Sequence, residues 1–99
     1  ETLKKNLRSV IDMTKTDKNE SAEIAAANAI TILVAAGYSF HGQDLSDVNI
    51  KGADLRNGTF LEVDFTNADL RHCNLANIKA NNSKMLKTNL EGVKLGILP

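Results

Sequence analysis

An apolar residue recurs at every fifth position from residue 40 to residue 95, without a miss. An α-helix repeats its buried side chains every 3.6 residues and a β-strand every 2, so neither element explains this period. A strict short period over such a length indicates a solenoid, in which each unit stacks on the unit before it. The twelve positions hold Phe40, Leu45, Ile50, Leu55, Phe60, Phe65, Leu70, Leu75, Ala80, Met85, Leu90 and Leu95.

The residues around these positions resemble a known family. The sequences GADLR at residues 52–56 and NADLR at residues 67–71 match the unit of the pentapeptide-repeat family, which is roughly Ala-Asp/Asn-Leu-x-x. The pairs Asp64-Phe65, Asn74-Leu75 and Asn89-Leu90 fit the same unit. The chain therefore resembles pentapeptide-repeat proteins over about residues 38–97.

This resemblance implies a mainly β fold, a right-handed quadrilateral β-helix with four pentapeptides in each coil. With that coil length, the repeat divides into three coils, 38–57, 58–77 and 78–97. Equivalent residues of successive coils should then lie about 4.8 Å apart, the spacing of neighbouring strands. The predicted core consists of Phe40, Leu45, Ile50, Leu55, Phe60, Phe65, Leu70, Leu75, Met85, Leu90 and Leu95, with Cys73 in an adjacent inward slot.

The first 37 residues lie outside the repeat and predict a cap of two α-helices. Thr2–Lys15 has an apolar stripe along one side, and Ser21–Ala36 is apolar around most of its circumference. Asn19 or Ser21 is suited to begin the second helix, and Gly37 to end it. We expect this helix to be buried and to cover the first coil, because an open end of a solenoid exposes unpaired backbone. The predicted units are thus a cap, 1–37, and a repeat, 38–97.

Composition excludes several classes of protein. Twelve basic and twelve acidic residues give zero net charge, which argues against direct nucleic-acid binding and against an acidic mimic of nucleic acid. A single cysteine excludes an internal disulfide and favours a reducing, cytoplasmic location. The longest apolar run, Ala22–Ala36, is too short to predict a membrane span.

No constellation in the sequence predicts catalysis. His72 and Cys73 are adjacent, but in the repeat register they point in opposite directions, and a buried cysteine behaves as a small apolar residue. Asp44 and Asp64 should stack, yet a glycosidase-type pair also needs a cleft. No phosphate-binding loop or zinc-ligand spacing is present. We therefore predict no catalytic residue, no cofactor and no metal, and a protein that is not an enzyme.

Charge is distributed unevenly along the repeat. Acids dominate between Asp44 and Asp69, whereas between Leu70 and Leu95 there are five bases and one acid. This asymmetry is either an ordinary solvated surface or a means of steering a partner. The columns Asp44/Asp64/Lys84 and Lys51/Arg71/Glu91 each end in the opposite sign, which favours an internal stabilising role.

These observations favour a non-enzymatic protein–protein interaction, scaffold or spacer module, expected to be a segment of a larger multidomain protein. The C-terminal end has no cap of its own, so we expect a protein partner or self-association there, or through the first helix. The resemblance also implies alternatives. One is a gyrase-directed DNA mimic, a role that requires a long acidic rod, and another is a targeting segment of a bacterial effector.

Overall fold

The computed structural model describes residues 2–96 and contains two helices followed by the repeat. Helix α1 spans Thr2–Met13 and helix α2 spans Glu20–Ala35. From Ser39 onward, every fifth residue forms an isolated parallel bridge with the residue twenty positions away. Three successive segments, 38–57, 58–77 and 78–96, therefore lie side by side, and we call them the first, second and third coil.

The expected mainly β fold, a quadrilateral β-helix, is wrong in its secondary structure. Within residues 2–96 the repeat contains no β-strand, because each pairing involves a single residue flanked by turns. The backbone turns again within every five residues, so a second residue never extends the bridge into a strand. A bridging residue still makes two backbone bonds. The N–H of Asp64 donates to the Gln43 carbonyl (3.1 Å), and the Asp64 carbonyl accepts from the Leu45 N–H (2.8 Å).

Each turn depends on a residue in the left-handed conformation, three positions after the bridge. This conformation is unfavourable for most residues and favoured by glycine and asparagine. Asp or Asn at the bridge supports the turn, since its side chain accepts the N–H two residues later, as Asp44 does from Ser46 (2.9 Å). The residues with positive φ at this position of the repeat are Gly42, Asp47, Gly52, Asn57, Glu62, Asn67, His72, Asn77, Asn82, Lys87 and Gly92.

The core is a continuous column under the helices. The Phe40 and Phe60 rings stack with centroids 5.1 Å apart and planes within 8°. Gly58 makes room for this stack, because a Cβ there would collide with the Phe60 ring. Burial extends to Leu75 in the second coil, and no residue of 78–96 is fully buried.

The helices have nearly the expected bounds. Helix α2 begins after Asn19, whose side chain accepts the Ala22 N–H (2.8 Å), and Gly37 follows it with φ of 81°. Helix α1 ends two residues earlier than expected, because the Thr14 N–H bonds three residues back, to Ile11, as a turn. One side of α2 is buried through Ala26, Ala29, Ile30 and Leu33. Contrary to expectation, its other side is open, with Ile24 and Ile32 more than half exposed.

Two threonines connect the helical region to the first coil. The Asn49 N–H donates to Thr14 Oγ1 (2.8 Å) and the Asp54 N–H to Thr31 Oγ1 (3.0 Å). In the second coil the equivalent N–H groups, those of Asp69 and Asn74, donate to carbonyls of the coil above. For these two N–H groups, the threonine hydroxyls therefore take the place of a preceding coil.

Candidate interaction surface

The third coil has backbone N–H groups that find no partner among the residues that the structure describes. In the second coil the Phe65 N–H donates to the Lys84 carbonyl (2.8 Å) and the Leu70 N–H to the Asn89 carbonyl (2.9 Å). The equivalent N–H groups of Met85 and Leu90 find no acceptor within residues 2–96. Unpaired backbone at the edge of a bridged array is a template for pairing with another chain.

Apolar side chains are exposed along the same row. Leu70 is 1% exposed, whereas Leu90, directly below it in the column, is 38% exposed and Leu95 is 56% exposed. Met85 is half-buried, as is Ala80. We call this row, with its flanking backbone groups, the open edge; it consists of Ala80, Met85, Leu90 and Leu95.

The predicted core residues thus fall into two groups. The structure buries every predicted core residue of the first two coils, Cys73 included. Met85, Leu90 and Leu95 instead lie at the open edge, which departs from the sequence-based expectation. The physical reason is that no described coil lies below them, and a period alone does not distinguish the last coil from an interior one.

Lysine replaces the short polar residue at three of the four bridges of the third coil. Lys79, Lys84 and Lys94 stand where the second coil has Thr59, Asp64 and Asn74. All three lysines are exposed. Because lysine has no acceptor atom, it cannot accept the turn N–H as an aspartate does. These three ammonium groups make the open edge basic.

The acids above this edge are held in place by local hydrogen bonds. The pKa of Asp64 lies below its usual value mainly because the Thr66 hydroxyl and N–H donate to it, with a smaller contribution from Lys84. Burial opposes ionisation of Asp69, but the Arg71 side chain, 2.6 Å away, and the Arg71 N–H outweigh that effect and lower its pKa. These carboxylates therefore act as turn acceptors and ion-pair partners within the repeat.

The adjacent His72 and Cys73 do not form a reactive pair. Cys73 is fully buried, its Sγ donates to the Ile50 carbonyl (3.1 Å), and burial raises the pKa of the thiol to about 11. His72 is exposed at a turn and packs against Gly92. His41 lies at another turn, where its Nε2 is 3.6 Å from Glu62 Oε1. The thiol is protonated at neutral pH and has the environment of a structural residue.

Most of the apolar stripe of α1 packs against the core of the protein. Ile11 is fully buried, and Leu7 and Val10 pack against the core, while Leu3 is 68% exposed. Arg8 donates through Nε to Gln43 (2.7 Å) and lies 5.9 Å above the centre of the Phe40 ring. These contacts tie α1 to the first coil.

Sequence reasoning did not identify the left-handed turn residues or the two capping threonines. The turn positions carry a usable signal, since most of them are Gly, Asn or Asp at a period of five. Thr14 and Thr31 carry no such sequence signal. A single threonine in a polar or apolar stretch does not reveal which N–H group will donate to its hydroxyl.

Metal binding and membrane insertion can both be examined in the described part of the chain. Among residues 2–96, His, Cys, Asp and Glu side chains do not gather in any group able to hold a metal ion. Neither α1 nor α2 has the length and apolar character needed to cross a membrane.

Stacked coils with a turn and an apolar residue in every five define a repeat protein with a very short unit. The model of the family described as Pentapeptide repeats matches residues 60–96, in eight copies. The family model thus detects pentapeptide repeats within residues 60–96, in agreement with the resemblance noted from the sequence. No curated protein and no solved structure matches the chain.

Proposed function

We propose that this chain is a non-enzymatic protein–protein interaction or scaffold module that contacts its partner through the open edge. The single observation that carries the proposal is the difference between the two ends of the repeat. At the first coil, threonine hydroxyls accept two of the bridging N–H groups and the helices cover the core. At the third coil, the N–H groups of Met85 and Leu90 find no acceptor in the described part of the chain, and Leu90 and Leu95 are exposed.

Exposed leucines and N–H groups without an acceptor favour a binding role when they lie side by side. Exposed leucines alone are common on protein surfaces. Here they alternate with unpaired backbone donors in the register that the coils above use for pairing. A partner that covers the edge would both bury apolar surface and satisfy these donors. We keep a cytoplasmic location as part of the proposal, since Cys73 is a free thiol within the core.

The alternative of a gyrase-directed DNA mimic receives less support from the charges. A mimic of nucleic acid needs an acidic surface, whereas the third coil carries four lysines and one glutamate. Nothing in the described residues favours a targeting segment of an effector over a general interaction module.

The proposal is tested by changing the open edge and comparing it with another exposed apolar pair. The edge variant is Leu90→Glu with Leu95→Glu, and the matched control is Ile24→Glu with Ile32→Glu on α2, where exposure is similar. The unaltered chain and both variants are used to capture proteins from an extract of the source cells. Captured proteins are purified, and their affinity for each chain is measured by calorimetry.

We expect the edge variant to lose a partner that the unaltered chain and the α2 control both bind. Thermal unfolding of both variants establishes that they remain folded. The proposal is overturned if the edge variant retains every partner, or if the α2 control alone loses them.

A further inference from the structure

We propose that Asn57 and Gly58 form a latent modification site, at which Asn57 loses its side-chain amide when the chain opens and keeps it while the coils are stacked. The two residues join the first coil to the second, and Asn57 is exposed whereas Gly58 is buried. The reaction takes place within the backbone and needs only water as a co-reactant. The inference is independent of the proposed function, because it concerns neither the open edge nor a partner.

The sequence places the most reactive pair of residue types at this turn. Asparagine is most easily deamidated before glycine, because glycine has no side chain to obstruct the approach of its backbone nitrogen to the asparagine Cγ. The chain contains this pair once, at residues 57–58. Asn67, Asn77 and Asn82 occupy equivalent left-handed turn positions but precede alanine, isoleucine and serine. The repeat therefore supplies its own controls for the site.

The fold requires both members of the pair. Asn57 has a φ of 64°, in the left-handed region that asparagine tolerates better than most residues do. A Cβ at Gly58 would collide with the ring of Phe60, which stacks on Phe40. A side chain at residue 58 would slow the reaction but would disturb this stack. The reactive pair thus follows from the packing of the first two coils.

The reaction proceeds through a cyclic imide. The Gly58 nitrogen attacks the Asn57 Cγ, so that an N–Cγ bond forms and the Cγ–Nδ2 bond breaks. The amide nitrogen leaves as ammonia and takes the proton of the Gly58 nitrogen with it. Water then opens the ring: attack at the side-chain carbonyl gives aspartate, and attack at the main-chain carbonyl gives isoaspartate. No group is oxidised or reduced.

The stacked coils oppose the first step. The Gly58 N–H donates to the Leu55 carbonyl (3.0 Å), which holds the proton on the nitrogen that must lose it. The Asn57 N–H donates to the Ala76 carbonyl (3.0 Å), and the Gly58 carbonyl accepts the Lys79 N–H (2.9 Å). Rotation of the intervening peptide group to bring its nitrogen to Cγ would break the first bond and strain the other two. The reaction is therefore expected only from a chain in which this turn has opened.

The two products differ in whether the coils can stack again. Aspartate fits the turn, because Asp47 has the same φ of 64° at the equivalent position. Isoaspartate adds one carbon to the main chain between residue 57 and Gly58. The bonds to Ala76 and Lys79 then cannot both keep their register. The site thus converts a prolonged opening of the chain into a permanent loss of the stacked state.

The test compares the folded and unfolded forms of the full 99-residue chain. The chain is incubated at mildly alkaline pH in buffer alone and in guanidinium chloride, and mass spectrometry of its peptides follows the conversion of each asparagine. A synthetic peptide of residues 53–62 gives the rate without protection. We expect Asn57 to react in guanidinium chloride as fast as in the peptide. In the folded chain it should react at least about fivefold more slowly, the factor for one backbone hydrogen bond.

Asn67 is the matched control, because it has the same turn conformation and its following N–H, that of Ala68, is bonded in the same way (2.9 Å). In the unfolded chain Asn67 should react much more slowly than Asn57. Equal rates at Asn57 and Asn67 in guanidinium chloride would overturn the assignment of the site. Equal rates at Asn57 in the folded and unfolded chains would overturn its protection by the coils.

The consequence for folding is tested separately with the two products. The Asn57→Asp variant should unfold at nearly the same urea concentration as the unaltered chain, since Asp47 shows that aspartate fits such a turn. The isoaspartyl chain, separated by chromatography, should unfold at a clearly lower concentration. An isoaspartyl chain as stable as Asn57→Asp would show that the turn accommodates the added carbon and would overturn the proposed loss of the stacked state.

Discussion

Leu70 and Leu90 occupy the same column one coil apart, yet only Leu70 is enclosed. Leu70 has a coil on either side of it, whereas Leu90 has one above and none described below. Two leucines in the same column therefore contribute differently to the free energy of unfolding. Their sequence context, an Asp or Asn followed by leucine, does not reveal the difference.

We expect Leu70→Ala to lower the free energy of unfolding by about 2–5 kcal/mol, as for other buried leucines. Leu90→Ala is the matched control, because it is the same change in the same column at a partly exposed site. It should cost clearly less, since less apolar area is lost and the space left is open to water. Urea unfolding monitored by circular dichroism measures both. Equal losses for the two variants would contradict the assigned burial.

Only some of the left-handed turn residues can be recognised from their residue type. Gly42, Gly52 and Gly92 indicate left-handed turns in the sequence, since glycine adopts this conformation at little cost. Glu62 and Lys87 adopt the same conformation but are poor candidates for it from their type alone. Only their place in the register, five residues from other turn positions, identifies them.

At the scale of elements, the resemblance, which implied four pentapeptides in each coil, predicted correctly which positions stack. It did not predict that the pairings would be isolated bridges. That outcome depends on how soon the backbone leaves the extended conformation after each bridge, as at Asp44 followed by the left-handed Asp47. Apolar periodicity reports side-chain burial and contains no information on that point.

Thr14, at the junction between the helical region and the first coil, is expected to contribute to stability through its hydroxyl. Thr14 is fully buried; its hydroxyl donates to the Ile11 carbonyl (2.7 Å) and accepts the Asn49 N–H (2.8 Å). Thr14→Val keeps the shape of the side chain but leaves this N–H without an acceptor. We expect a loss of about 1–3 kcal/mol in the free energy of unfolding, the cost of an unsatisfied buried donor.

Thr16→Val serves as the control for this change, because Thr16 is exposed and lies just beyond α1. It should alter stability by less than about 0.5 kcal/mol, as surface substitutions generally do. Thermal and urea unfolding measure both variants. If Thr14→Val is as stable as Thr16→Val, the hydroxyl does not close this end of the repeat.

At the scale of the whole molecule, the two ends of the repeat differ in kind. At one end, Thr14 and Thr31 accept the N–H groups of two bridging residues, whereas at the other end the N–H groups of Met85 and Leu90 find no acceptor within residues 2–96. The sequence indicated this polarity, because an apolar helix precedes the first coil and nothing comparable lies within 78–96. The identity of the partner depends on a surface outside this chain.

Amide hydrogen exchange of the isolated chain, followed residue by residue by NMR at low concentration, tests this polarity most directly. Exchange is slow where an N–H is bonded within a stable unit and fast where it faces water. We predict protection at Asn49, Phe65 and Leu70 and rapid exchange at Met85 and Leu90. Protection of Met85 and Leu90 equal to that of Phe65 and Leu70 would show that the edge is already closed, and would contradict the account.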